Sequence, residues 1–119
     1  MQKKLVQKIR ILLGSEIAIG PGKADLLEAI EYTQSISGAA RQIGMSYRRA
    51  WMLVDTMNRC FAHALVTTSA GGKGGGGAQL TDFGKEIMTR YRKMEHRAIA
   101  SIAKDVAELE GLMVTRPRR

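Results

Sequence analysis

The chain has 119 residues, enough for one domain of ordinary size and too few for two. Lys and Arg together number 19 against 11 Asp and Glu, a formal net charge of +8, which favours a polyanionic partner such as nucleic acid or an acidic membrane surface. Hydrophobic residues at 45% and charged residues at 25% exclude a basic disordered tail and leave a core to bury.

Cys60 is the single cysteine, which excludes an internal disulfide framework and a Cys-rich zinc site and fits a reducing, cytoplasmic setting. The N-terminal stretch scatters Lys3, Lys4, Lys8 and Arg10 among apolar residues, so it lacks the apolar segment of a signal peptide. Nowhere does an apolar run reach the ~18 residues of a membrane span, so a protein that is neither secreted nor membrane-spanning is expected.

From Leu5 to Ile19 the residues are β-branched and interrupted by Gly14-Ser15-Glu16, which predicts a strand, a turn and a short extended segment before Gly20-Pro21-Gly22. Leu26, Leu27 and Ile30 then recur at helical spacing with Asp25, Glu28 and Glu31 turned outward, predicting a first helix from about Lys23 to Gln34 with an acidic outer face.

Two helix starts follow only nine residues apart, with Ser37 and Ser46 as expected N-caps and Gly44 as the stop between them. Helices joined so tightly must cross steeply. Ala39 and Ala40 let the backbones approach, and Ile36, Ile43, Met45, Ala50 and Leu53 fill the crossing, the pattern of a helix-turn-helix. At about 100° per residue, Ala50, Leu53, Val54, Met57 and Phe61 face the core. Arg48, Met52, Asp55 and Arg59 face the opposite way, with Tyr47 and Trp51 on a flank. Between Gln34 and Leu80 the bases Arg41, Arg48, Arg49, Arg59 and Lys73 meet one acid, Asp55, so the excess charge is concentrated here.

Leu65 to Ser69 reads as a strand, Gly71 to Gly77 as a flexible loop around Lys73, and Ala78-Gln79-Leu80 as the returning strand, together a wing. Thr81 can cap a final helix whose stripe Phe83, Ile87, Tyr91, Met94, Ala98, Ile102, Val106, Leu109 and Met113 runs at spacings of three and four. A helix of roughly 30 residues spans about 45 Å, far beyond the radius of gyration near 13.5 Å for a globule of this length. Part of the stripe must therefore leave the globule, and a partner chain is its expected cover. The tail from Thr115 to Arg119 is expected to fray.

The expected fold is mainly α with a small β component: a single winged helix-turn-helix domain over 1–119 with a long C-terminal dimerisation helix. The helix-turn-helix occupies about 36–62, the wing about 65–80 and the long helix about 82–113. The segments Ser35-Ile36-Ser37-Gly38-Ala39-Ala40, Met45-Ser46-Tyr47-Arg48-Arg49-Ala50-Trp51 and Ala70 to Ala78 followed by Leu80-Thr81 resemble the DNA-binding domain of the ModE family, the molybdate-responsive transcription regulators. The helix-turn-helix is more loosely similar to that of LysR-type regulators. The resemblance covers roughly Gly20 to Arg92 and implies a dimeric regulator of double-stranded DNA, contacting it through Ser46, Tyr47, Arg48 and Arg49 and through the wing around Lys73. Full-length members also carry a C-terminal molybdate-binding region of β-structure. No such segment follows the long helix here, so oxyanion sensing is not carried over.

Helix geometry in the major groove makes Ser46, Tyr47, Arg48 and Met52 the candidates for base-edge contact. Arg48 is either bidentate to a guanine or a solvated or phosphate-bound charge; Arg49, off the outermost line, and Arg59 are assigned to the DNA-facing surface, Arg49 chiefly to phosphate. Trp51 is assigned to packing and the Tyr47 hydroxyl to a phosphate bond. Lys73 on its glycine tip is either solvated or in contact with the DNA backbone or minor groove. Tyr91, Met94, Ala98, Ile102, Val106 and Leu109 are the expected dimerisation residues.

The glycine loop is no nucleotide-binding loop, because Gly74 follows Lys73 where Ser or Thr and a helix should begin. Cys60 and His63 lack a second ligand pair, and no nucleophile, base and orienter set is visible, so neither metal, cofactor nor catalysis is expected. The favoured reading is a homodimer on a roughly palindromic site. The alternative is an interaction module that pairs through its long helix with another regulator and binds DNA weakly.

Overall fold

The computed structural model describes residues 8–69 and 77–119. Its elements run β1 (Ile11–Leu13), β2 (Glu16–Ile19), α1 (Pro21–Thr33), α2 (Ile36–Ile43), α3 (Tyr47–Cys60), β3 (Val66–Thr68), β4 (Ala78–Leu80) and α4 (Asp82–Glu110). This is a winged helix-turn-helix with a small β component.

Gly14, at φ 60°, turns the chain between β1 and β2, which pair antiparallel with Ile11 opposite Ile19 and Leu13 opposite Glu16. The first helix begins at Pro21, two residues before the expected Lys23. Proline has its φ already set for a helix and no amide to leave unpaired in the first turn. Gln34 closes the helix in the left-handed region at φ 55°, its amide donating to the Ile30 carbonyl at 2.7 Å.

α2 corrects an expected cap. Ser35, not Ser37, is the N-cap: it is extended, and its Oγ accepts from the Gly38 amide at 3.0 Å. Ser37 already lies within the first turn, where its hydroxyl meets that of Ser35 at 3.1 Å. Gly44 ends α2 at φ 74° and Ser46 opens α3, its Oγ accepting from the Arg49 amide at 3.1 Å. Ala39, Ala40 and Ala50 are buried at the crossing, where small side chains bring the two helices together.

The core collects Ile19, Leu26, Leu27, Ile30, Ile36, Val54, Met57, Leu65, Leu80 and Tyr91, with Leu53 and Phe61 half-buried against it. β3 and β4 form the wing stem, pairing Val66 with Leu80 and Thr68 with Ala78. Thr81 caps α4 by accepting from the Gly84 amide at 2.9 Å, and its own hydroxyl donates to the Ala64 carbonyl at 2.7 Å. α4 ends at Glu110, with Gly111 as its cap, so Met113 of the expected stripe lies beyond it.

At 29 residues and 1.5 Å per residue, α4 is about 43 Å long. The described chain accordingly measures 57 × 30 × 25 Å with a radius of gyration of 17.4 Å. Tyr91 is withdrawn from the pairing set: it is only 1% exposed, and its hydroxyl donates to the Ile9 carbonyl at 2.5 Å. Further along, Ile102 is 41% and Leu109 64% exposed, Met94 is exposed, and Ala98 and Val106 are half-buried.

Candidate nucleic-acid interface

Helical rotation divides α3 into four lines. Ala50, Val54 and Met57 go into the core, and Arg48, Met52, Asp55 and Arg59 lie on the exposed face opposite. One flank carries Tyr47, Trp51 and Asn58, and the other Arg49, Thr56 and Cys60. Each flank meets a different neighbour.

On the first flank, Asn58 joins α3 to the root of the wing. Its Oδ1 accepts from the Leu65 amide at 2.8 Å and the Val66 amide at 3.2 Å, while its Nδ2 donates to the Val66 carbonyl at 3.0 Å. One amide side chain thus satisfies three backbone groups that open β3, fixing where the wing leaves the globule. At the far end of the stem, the Ser69 amide donates to the Gly77 carbonyl at 2.9 Å and the Gly77 amide to Ser69 Oγ at 3.1 Å. The Ala78 amide donates to the Gln34 carbonyl at 3.0 Å, tying β4 to the end of α1. Lys73 and the loop around it fall outside the described residues.

The other flank faces β2 and the start of α1. Lys23, in the first turn of α1, is 8% exposed. Burial lowers its pKa from the ordinary lysine value, opposed by nearby Cys60 and Glu16 and reinforced by Arg49 and Arg10. Lys23 stands three, four and seven residues before Leu26, Leu27 and Ile30, a spacing that would have placed its stem on the core face.

The arginines of the helix-turn-helix are not equivalent. Arg48, Arg49 and Arg41 form no ion pair among the described residues and are exposed. Arg59, expected among the DNA-contacting cations, is already engaged: its Nε lies 2.9 Å from Asp55 Oδ2, and a terminal nitrogen lies 3.7 Å from Glu16 Oε1. The hydrogen bond and charge of Asp55 raise its pKa. The unneutralised positive charge of α3 therefore sits at its N-terminal turns, the end that meets base edges when such a helix enters the major groove. Ser46 there is committed to its capping bond. Met52 is 59% exposed beside Arg48, and Tyr47 and Trp51 stand edge to face with centroids 6.2 Å apart.

Asp25 and Glu28, read as a solvated acidic face, hold Arg92 of α4 instead. The guanidinium contacts Asp25 at 2.7 Å, Glu95 at 2.9 Å and Glu28 as well. Burial works against its charge, but hydrogen bonds to Asp25, Glu95 and Glu28 outweigh that and raise its pKa. This clamp fixes the direction in which α4 leaves the core. Cys60 is half-buried and His63 stacks edge-on against Phe83 at 5.2 Å. No group of three or more His, Cys, Asp or Glu among the described residues is placed to hold a metal ion. No helix among them is long and apolar enough to cross a membrane.

No protein-family model matches the chain. Curated proteins do: a molybdenum transport protein ModE from Azotobacter vinelandii is 46% identical over 78 residues, 66% of this chain and 29% of that protein. The molybdenum-pterin-binding protein MopB from Rhodobacter capsulatus is 42% identical over 92 residues, 77% of this chain and 33% of that one. The DNA-binding transcriptional dual regulator ModE of Escherichia coli (strain K12) is 36% identical over 91 residues, 76% of this chain and 34% of that one. The chain thus spans about a third of the length of these relatives, whose names are those of regulators and molybdenum-handling proteins and not of enzymes. In fold, it is similar to a full-length LysR-type regulator, LysG from Corynebacterium glutamicum, with a TM-score of 0.52 at 23% identity over 82% of this chain and 30% of that one. Over the stretch that these relatives cover, this chain belongs to the ModE family.

Proposed function

We propose that the chain is a transcription regulator that binds double-stranded DNA as a homodimer on a roughly palindromic site. The observation that carries this reading is the pair of guanidiniums, Arg48 and Arg49, exposed at the capped start of α3 with no ion pair among the described residues. Arg48 meets base edges, bidentate where a guanine presents O6 and N7, and Arg49 neutralises phosphate. Tyr47 and Met52 line the same turns, and Lys73 extends the contact through the wing. Arg59 is assigned a lesser part, because Asp55 and Glu16 already hold it. The relatives named as transcriptional regulators support the reading.

The exposed part of α4 supports pairing. Met94, Ile102 and Leu109, with Ala98 and Val106 between them, leave the protomer with little to cover them. A two-fold pair through this stripe would set two recognition helices on successive major grooves, about 34–36 Å apart. The test is selection of bound duplexes from a random pool, followed by sedimentation of protein with the selected duplex. A preferred sequence with inverted-repeat symmetry, bound by two protomers, supports the proposal. No preference over random DNA, or a monomer that binds only beside a second protein, refutes it.

A further inference from the structure

Trp51 is expected to pack, yet it is 38% exposed, and Tyr47 beside it is 55% exposed. Their rings meet at an interplanar angle of 81° with centroids 6.2 Å apart, a T-shaped pair. The pair lies one helical step from Arg48, on the flank that continues through Asn58 to the wing. The indole N–H has no hydrogen-bond partner among the described residues. This exposed aromatic surface stands next to a guanidinium that has no ion pair among the described residues, in a chain carrying +8, and together they suit a ligand that is apolar at one point and anionic around it.

Resting on the DNA-binding reading above, we propose that Trp51 and Tyr47 form an apolar contact for the C5-methyl group of a thymine, making Trp51 a specificity-determining residue. The thymine methyl is the apolar group that a base pair presents in the major groove, and it distinguishes A·T from the other pairs. It lies at the groove edge beside its own sugar and phosphate. Residues on the flank of an inserted helix face that wall, while those on the outermost line face the base edges. Arg48 and the aromatic pair would therefore read neighbouring bases from one turn of α3. The Tyr47 hydroxyl remains free to donate to the adjoining phosphate.

The experiment replaces each thymine of the selected duplex by uracil, which removes the methyl and nothing else. The wild-type protein should lose affinity about fourfold at one thymine in each half-site, the worth of one buried methyl-sized group. Trp51→Ala should bind more weakly and lose that uracil sensitivity; Trp51→Phe should keep part of it. Circular dichroism checks that the variants fold. If Trp51→Ala does not, Trp51→Phe and wild-type emission carry the test, because Trp51 is the single tryptophan and its fluorescence should differ between the thymine and uracil complexes. A flat uracil scan with sequence preference intact overturns this inference alone, as does a uracil penalty that persists unchanged in the Trp51 variants. Absence of any sequence preference overturns it together with the DNA-binding reading.

Discussion

Gly84 marks the closest approach between the wing root and the long helix. A Cβ built there would lie 2.1 Å from the Leu65 carbonyl oxygen, 2.9 Å from its carbon and 3.1 Å from its Cα. All three are backbone atoms, so no rotamer change relieves the clash, and Gly84→Ala must push α4 and the Leu65 backbone apart by more than about 1 Å. The same Leu65 oxygen accepts from the Thr81 amide at 2.9 Å, a bond that the shift weakens. Overpacking costs about 1–3 kcal/mol and the weakened bond about 1 kcal/mol, against about 1 kcal/mol recovered from replacing glycine by alanine in a helix. The net loss is about 2 kcal/mol, or roughly 8 °C in melting temperature at about 4 °C per kcal/mol. Gly22 is the control. It too lies in the first turn of a helix, but a Cβ there meets nothing within 4 Å, so Gly22→Ala should melt at or slightly above wild type. Thermal melts followed by circular dichroism at one protein concentration compare the three. A Gly84→Ala melt at or above the wild-type temperature would refute this account of how α4 docks.

Asn58→Ala leaves two amides and a carbonyl of the wing root without their partner. It should cost about 2 kcal/mol and speed hydrogen exchange at Leu65 and Val66; unchanged protection there would count against the tether. Because no charge is removed, DNA affinity should fall without a change in its salt dependence. Arg92→Met strands Glu95, only 6% exposed, beside Asp25 and Glu28. The expected loss is about 2 kcal/mol, and Arg92→Lys should recover only part of it, since a single ammonium nitrogen cannot span the three carboxylates that separate nitrogens of the planar guanidinium reach. Full recovery in the lysine variant would contradict the clamp. Lys23 has its folded pKa below the unfolded value of 10.5, so between the two the unfolded chain binds more protons and stability rises with pH. Lys23→Met should therefore be more stable than wild type near neutral pH, with the difference shrinking as pH climbs towards 10.5. A difference independent of pH would show that the Lys23 charge carries no penalty.

The winged helix-turn-helix was legible because its signals are local: Ser46 as a cap, Gly44 as a left-handed stop, paired alanines at the crossing, and three- and four-residue spacing along α3 and α4. The misreadings arose where tertiary partners decide. Ser35 and Ser37 are equally good caps by residue type, and only the backbone path out of Gln34 makes Ser35 the cap. Tyr91 shares its spacing with the exposed stripe, but the N-terminal segment at Ile9, far away in sequence, buries it. Arg59 looks like a free cation from its angular position; its main partner, Asp55, stands four residues back on the same helix and was legible in the sequence, and only the longer contact to Glu16 of the hairpin was not. Asp25 and Glu28 are outward from α1 yet inward from α4, a relation that a helical wheel drawn for one helix cannot contain. Asn58 gave no periodic signal, because its work is done by hydrogen bonds eight residues ahead. The exposure of Arg48 and Arg49 was legible because exposed side chains answer to helix geometry alone.

If the first turns of α3 read base sequence, Arg48 is the side chain whose loss shows it. Affinities of wild type, Arg48→Ala and Arg118→Ala should be measured for the selected duplex and for random duplex at one salt concentration. Arg118 lies in the exposed tail and, like Arg48, carries one positive charge. Loss of a base-edge contact worth about 1–3 kcal/mol in each half-site should cut the preference for the selected duplex roughly 5- to 150-fold per half-site, and by about the square of that for the two-fold site, in Arg48→Ala. Arg118→Ala should keep the wild-type ratio. Equal ratios in all three proteins would contradict the account, leaving Arg48 a solvated charge and α3 a helix that does not read DNA.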